Sequence, residues 1–395
     1  MHPVTLTRPV FAAMVVQYAA GGAFLPFAKF YLDDLGLQSQ EVAWVFAGSA
    51  AVSATVPLLW GILADRFVAP THLLAAMNFL GLLAILLFSQ VSRFPYVFVA
   101  YGVFAACLFP TFAILNAVAY HHLAYPQRHF GRLRAWGSLG WGLPAGLVWV
   151  WLSVREDPSV AFLPYMTAIF LALMVGLAAW LPSVAPPAQS ELGQRSGVYW
   201  REFRTLLRRG PFLCMLVSVF LSFSSFSIWF YYSPAYLEQI GFERRWIGPI
   251  QALGVLVEIP LCMLLWRAIR RWGYRGTLLV GAGALFARQL LFATCEVPWL
   301  LVASYLLVAV SVVCYLVGAS LAIEAMAEPE VRATAQTLSA LCGPGLGQIA
   351  GHFVVGWIVG DPAADLRYAF WYGTATALVG MVIVVLGLKE SDFAD

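Results

Sequence analysis

Apolar runs of about 20 residues or more recur along this chain at intervals of roughly 30 residues. A run of that length matches the helix needed to cross the hydrocarbon core of a bilayer. Inside lipid every backbone N–H and C=O must find a partner within the protein, which leaves only helices and closed barrels. A barrel would show alternation in segments of about 10 residues, and these runs are continuous. The chain is therefore expected to be an all-α integral membrane protein. Its 395 residues are 61% apolar and 11% charged, too little charge to clothe a soluble domain.

Twelve spans are expected, at 9–32, 40–63, 71–91, 95–118, 131–153, 159–181, 210–236, 245–268, 275–294, 298–325, 331–358 and 367–388. The first run is long and lacks a small-residue cleavage site, so it reads as a retained helix. The longest polar interruption, from Pro182 to Arg209, ends in the basic segment WREFRTLLRR. It divides the chain into a six-helix bundle at 1–182, a cytoplasmic linker with an amphipathic surface helix at 183–209, and a second six-helix bundle at 210–395. A repeat supports the division. LLWGILADRFVAPTHLL at 58–74 is echoed by LLWRAIRRWGYRGTLL at 264–279, each between the second and third span of its half. A fainter echo pairs the Arg132 region with VRATAQTL at 331–338. Short loops on the side of the termini hold sixteen arginines and lysines against five on the other. By the positive-inside rule both termini and the linker are expected to be cytoplasmic.

Against this apolar background a few polar residues stand out. FGRLRAWGSLGWG at 130–142 places Arg134, Ser138 and Trp141 at i, i+4, i+7, on one helix face. That face carries a cation, a hydroxyl and a ring suited to stacking. Arg134 could equally be one more positive-inside residue, as Arg132 is read. Glu258 lies about fourteen residues into span eight, where a carboxyl suits a group that binds and releases a proton. Gln251 and Gly254 share its face and could meet a substrate. Arg288 lies midway along span nine, where a charge costs about 2.5–3.5 kcal/mol and must face the protein interior. A Glu258–Arg288 pair would serve coupling, or would be a structural link between neighbouring helices. Asn116 could line the same cavity from span four, or bond helix to helix. In FLSFSSFSIWFYYSPAY at 220–236, Trp229, Tyr232 and Tyr236 fall at helical spacing, as a cavity lining or as an aromatic belt. Lys29 is placed to snorkel, Glu324 to pair with Arg332, and His352 to serve as a relay or in packing.

Other classes find little support. The six cysteines are dispersed without a CxxC pair, so neither a metal site nor a disulfide framework is expected. His121, His122 and His129 carry no metal-ligand spacing, so an enzyme is not expected. No nucleotide-binding loop points to a primary pump, and no basic tail points to nucleic acid. No cofactor is implied.

The segments GILADRF at 61–67, AFLPFAKFYLDDLG at 23–36, FGRLRAWGSLGW at 130–141, and LGVLVEIP at 253–260 with FARQLLFA at 286–293 resemble the major facilitator superfamily. Within it they resemble the branch of the nucleoside:proton symporters, phenylpropionate permease and lactose permease. The resemblance covers nearly the whole chain and implies two six-helix bundles working by alternating access. It implies a gating role for Asp65 and Arg66, proton coupling for Glu258 and Arg288, and substrate contact for Arg134, Ser138 and Trp141; Asn116, Gln251, Trp229 and Tyr232 join the expected substrate contacts from their own positions. The chain departs from lactose permease at the span-four acid, where Asn116 stands, and around Val308 and Ser311. It departs from nucleoside symporters at Ser227, Phe230 and Val255. The expected function is proton-coupled import of a small polar ring compound by a monomer in the bilayer, nucleosides first. Aromatic carboxylates, sugars, a proton-driven exporter on the same fold, and a non-transporting sensor are the alternatives.

Overall fold

The computed structural model of the chain describes residues 8–66, 69–121, 126–155, 159–181, 206–328, 331–360 and 365–393. Within these, the side chains at 57–66, 117, 119–121, 126–134 and 333 lie outside the description. The gate residues Asp65 and Arg66, the side chain of Arg134, the histidines at 121, 122 and 129, and the linker up to residue 205 therefore lie outside the described residues.

Every expected span has a helical counterpart. Span one is α1 (Arg8–Phe24), a 3-10 turn at Leu25–Phe27 and α2 (Ala28–Asp34). The break falls at Pro26, whose ring leaves no N–H to continue the helix ladder. The helices α3 (Ser39–Arg66), α4 (Pro70–Phe88), α5 (Phe94–His121), α6 (Pro126–Val154) and α7 (Leu163–Ala178) follow. Pro70 opens α4 and Pro164 sits in the first turn of α7, where a missing donor costs nothing. Beyond the linker come α8 (Gly210–Gln239) and α9 (Arg244–Thr294). Span ten is α10 (Pro298–Ala303), α11 (Tyr305–Val310), a π-helical turn at Ser311–Val317 and α12 (Gly318–Met326). Span eleven is α13 (Arg332–Ala340), a second π turn at Leu341–Gly347 and α14 (Gln348–Ile358); α15 (Arg367–Gly387) is span twelve. Among the described residues, nine helices are long and apolar enough to cross a membrane.

One boundary differs from expectation. Spans eight and nine form one helical run, α9, interrupted only at Gly273. There φ is 72° and ψ is 177°, a conformation that favours glycine and turns the chain without a polar loop. The carboxylate of Glu390 accepts the N–H groups of Tyr274 at 2.7 Å and Arg275 at 3.0 Å, capping the second rod.

The described chain groups into two compact units. Unit 1 holds residues up to 187 with 231–262, and unit 2 holds 188–230 with 263–395. In unit 1, α1 and α6 meet backbone to backbone. A Cβ on Gly140 would lie 2.2 Å from the carbonyl oxygen of Val15, and one on Gly22 equally close to that of Trp141. Small residues let two membrane helices approach this closely. The core of unit 2 runs through Met215, Val219, Leu278, Tyr315, Ile323 and Val384.

Candidate functional site

In unit 1, α6 and α9 run antiparallel. Ser138 Oγ donates to Glu258 Oε1 at 3.0 Å. Further along, Gly142 meets Val255, Gly248 meets the backbone of Ala145, and the rings of Trp149 and Trp246 are 6.1 Å apart. Positions rise on α6 as they fall on α9, so the pairing is a continuous seam. Its partners at the Ser138 end are a hydroxyl, fully enclosed, and a carboxylate, half-buried.

Beside this pair the ring of Trp141 lies against Gly21 and 6.4 Å from Phe112, whose ring is 5.0 Å from Tyr18. Asn116 Nδ2 donates to Tyr18 Oη at 3.4 Å. Asn116 Oδ1 and Gln251 Nε2 are buried with no hydrogen-bond partner among the described residues. A buried amide group without a partner costs free energy that an incoming polar ligand or water can recover. Ser138, Trp141, Asn116, Gln251 and Glu258 thus belong to one unit, which offers acceptor, donor, hydroxyl and aromatic surfaces. Tyr232 is in the same unit, buried against Phe46 at 6.1 Å between ring centres.

Unit 2 holds Arg288 and Trp229. The Arg288 guanidinium is fully enclosed by three rings, with Cζ 4.9 Å from Trp229, 4.5 Å from Phe292 and 4.6 Å from Tyr305. Among the described residues its polar neighbour is the Tyr305 hydroxyl, and no carboxylate pairs with it. Ring quadrupoles stabilise a desolvated cation by about 2 kcal/mol or more. Next to it, Gln289 Nε2 donates to the Ser225 carbonyl at 2.6 Å and to its Oγ at 2.8 Å. Ser225 Oγ in turn donates to the Gly373 carbonyl at 2.8 Å, and the Ser224 and Tyr372 hydroxyls meet at 2.8 Å. The serines of span seven are in these cases helix-to-helix bonds. Glu258 lies in unit 1 and Arg288 in unit 2.

Phe292 and Tyr305 were not singled out by sequence. Phe292 stands one turn after Arg288, so the i, i+4 spacing was the available signal. Tyr305 comes from another helix, and nothing local marks it.

Residues 4–392 match the family model described as nucleoside H+ symporter. The chain belongs to the nucleoside H+ symporter family. It is accordingly an integral membrane transporter, proton-coupled and acting on a small molecule, and not an enzyme. A putative nucleoside transporter, YegT of Escherichia coli (strain K12), is 25% identical over 399 residues, covering 96% of this chain and 93% of that protein. A probable 3-phenylpropionic acid transporter of the same organism is 26% identical over 323 residues, covering 78% and 80%. The crystal structure of nucleoside transporter NupG superposes with a TM-score of 0.81 at 18% identity, over 96% of this chain and 98% of that one. That likeness carries the major facilitator fold. Membership in the symporter family bears out the resemblance carried by the 130–141 and 253–260 segments.

Proposed function

We propose that this symporter imports a nucleoside-like solute, a small polar ring compound, by alternating access, using the inward flow of protons. The observation that carries the reading is the hydrogen bond from Ser138 to Glu258. It joins the carboxyl read as proton carrier to the helix face read as substrate contact, so that loading one site alters the other. Arg134, Trp141, Asn116 and Gln251 complete the substrate contacts of that face, with Trp229 and Tyr232 from span seven. Arg288 serves coupling as the counter-charge of Glu258 at one stage of the cycle. Asp65 and Arg66 gate the cytoplasmic side. The protein works as a monomer with two six-helix bundles joined by a surface linker, both termini in the cytoplasm, in a bacterial inner membrane. The relative named as a putative nucleoside transporter supports the cargo.

A second reading has its own support. A buried guanidinium among aromatic rings, with no carboxylate paired to it among the described residues, suits the carboxylate of an aromatic acid, and one relative is named a probable 3-phenylpropionic acid transporter. Uptake of nucleosides, aromatic acids and sugars into proteoliposomes, with and without an inward proton gradient, separates the readings. Gradient-driven uptake of nucleosides alone supports the first. Uptake of aromatic acids alone replaces it with the second, and efflux under the reversed gradient would mark an exporter.

A further inference from the structure

Two helix ends in unit 1 carry the same signature. TyrLeuAspAspLeuGlyLeu at 31–37 and TyrLeuGluGlnIleGlyPhe at 236–242 close α2 and α8 in the same way. Gly36 has φ of 79° and Gly241 of 102°. In each turn the glycine N–H bonds to the third carbonyl back and the next N–H to the fifth, as Leu37 to Leu32 at 3.3 Å and Phe242 to Leu237 at 3.0 Å. This is the glycine C-cap that ends a helix and turns the chain sharply. It fixes one acid from each helix end beside the cation that opens α9.

That cation is Arg244. Its Nη1 donates to Asp34 Oδ1 at 2.7 Å and its Nε to Glu238 Oε1 at 2.6 Å. Its Cζ lies 5.0 Å from the centre of the Phe30 ring, one turn before Asp34. The other oxygen of Asp34 accepts the N–H of Val160, between α6 and α7, at 3.3 Å. The neighbouring Asp33 is occupied by Lys29 at 2.7 Å, which leaves Asp34 for Arg244. Arg244 uses separate edges of its planar fork for two carboxylates, a geometry lysine cannot copy. The arginine side chain is 17% exposed and Asp34 28%, so water reaches the pair and it can break without stranding a dry charge.

Below this cluster the chain is sealed by apolar surfaces. The Phe46 and Tyr231 rings are 4.5 Å apart, and Gly248 lies against the Ala145 backbone. Along α9 the Gly248 contact stands between Arg244 and Glu258.

We infer that Arg244, Asp34 and Glu238 form the external latch of this transporter, closed here, which must open before substrate reaches Ser138 and Glu258 from outside. The latch rests on the membrane orientation proposed above and not on the cargo. It is a device of ion pairs at the rim over an apolar seal. Removing a charge leaves the seal alone to hold the outer side shut.

The test is the rate at which an impermeant maleimide labels Ala50→Cys, one turn beyond Phe46 on α3 and 2% exposed. The parent protein, with its own cysteines, sets the background. In right-side-out vesicles, Asp34→Asn and Arg244→Gln each raise the rate about tenfold. Arg244→Lys falls between parent and Arg244→Gln, and the double variant labels no faster than Arg244→Gln alone. Asp34→Asn keeps the size of the side chain, so it remains readable if Arg244→Gln does not fold, as judged by its size-exclusion profile. Rates within twofold of Ala50→Cys alone in the folded variants overturn the latch, as does an additive double variant. A rise seen only in inverted vesicles overturns the external assignment. No substrate is needed, so failure of the cargo reading leaves this measurement intact.

Discussion

Ser138 and Glu258, 120 positions apart in the chain, share a hydrogen bond of 3.0 Å in the seam between α6 and α9. One is the hydroxyl of the aromatic, glycine-rich face of span five. The other is the carboxyl deepest in span eight. Their meeting brings two separate sequence signals together and, on the proposed roles, would tie substrate contact to proton binding.

The first prediction concerns the carboxyl itself. Glu258→Gln retains an oxygen for Ser138 but cannot carry a proton. Gradient-driven accumulation in proteoliposomes should therefore be lost, while exchange of labelled for unlabelled substrate across the membrane persists. Exchange needs only binding and conformational change, and accumulation needs the coupled proton. Continued accumulation by this variant would remove Glu258 as the carrier.

A second prediction separates two neighbouring arginines. By sequence spacing Arg134 falls at i, i+4, i+7 with Ser138 and Trp141, and Arg132 does not. Arg134→Ala should weaken substrate binding at least tenfold, about 1.4 kcal/mol, and Arg132→Ala by less than twofold. Binding measured by scintillation proximity in detergent decides it. Equal losses would assign both to topology.

A third prediction tests the close crossing of α1 and α6. Gly140→Ala puts a methyl 2.2 Å from the Val15 carbonyl oxygen, a backbone atom that cannot swing aside. Overpacking of this kind costs about 1–3 kcal/mol. Gly146, on the same helix, has open space around its Cα. Gly146→Ala should be neutral or slightly stabilising, because alanine is the better helix former. Apparent melting temperatures in detergent should fall for the first and hold for the second.

How far this architecture was legible depends on what kind of signal each part leaves. Helices show as apolar runs because lipid enforces them residue by residue. The helix bearing Ser138 and Trp141 shows because helical spacing is local. The setting of Arg288 did not show, since Trp229 and Tyr305 reach it from other helices and no local spacing links them to it. The latch was half visible. Asp33 and Asp34 fall within AFLPFAKFYLDDLG, yet the likeness of 31–37 to 236–242 gains meaning only when both helix ends are seen to turn alike. The absence of a loop between spans eight and nine was hidden because the residues around Gly273 are polar enough to pass for one. The cap that permits the sharp break comes from Glu390, more than a hundred residues away.

That cap yields the last prediction. Glu390 is exposed, and its two oxygens take the first free N–H groups of the rod that begins after Gly273. A carboxylate at a helix N-terminus satisfies orphan donors and faces the positive end of the helix dipole. Phe393, three residues on, packs its ring 5.2 Å from Tyr274 and holds the segment down. Glu390→Ala should cost about 1 kcal/mol and Glu390→Gln less, since the amide oxygen still accepts one N–H. High salt should narrow the gap between parent and Glu390→Gln by screening the charge, while leaving that to Glu390→Ala largely in place. Thermal unfolding in detergent at two ionic strengths reads both effects. A melting temperature unchanged in Glu390→Ala would mean that the turn at Gly273 stands without its cap.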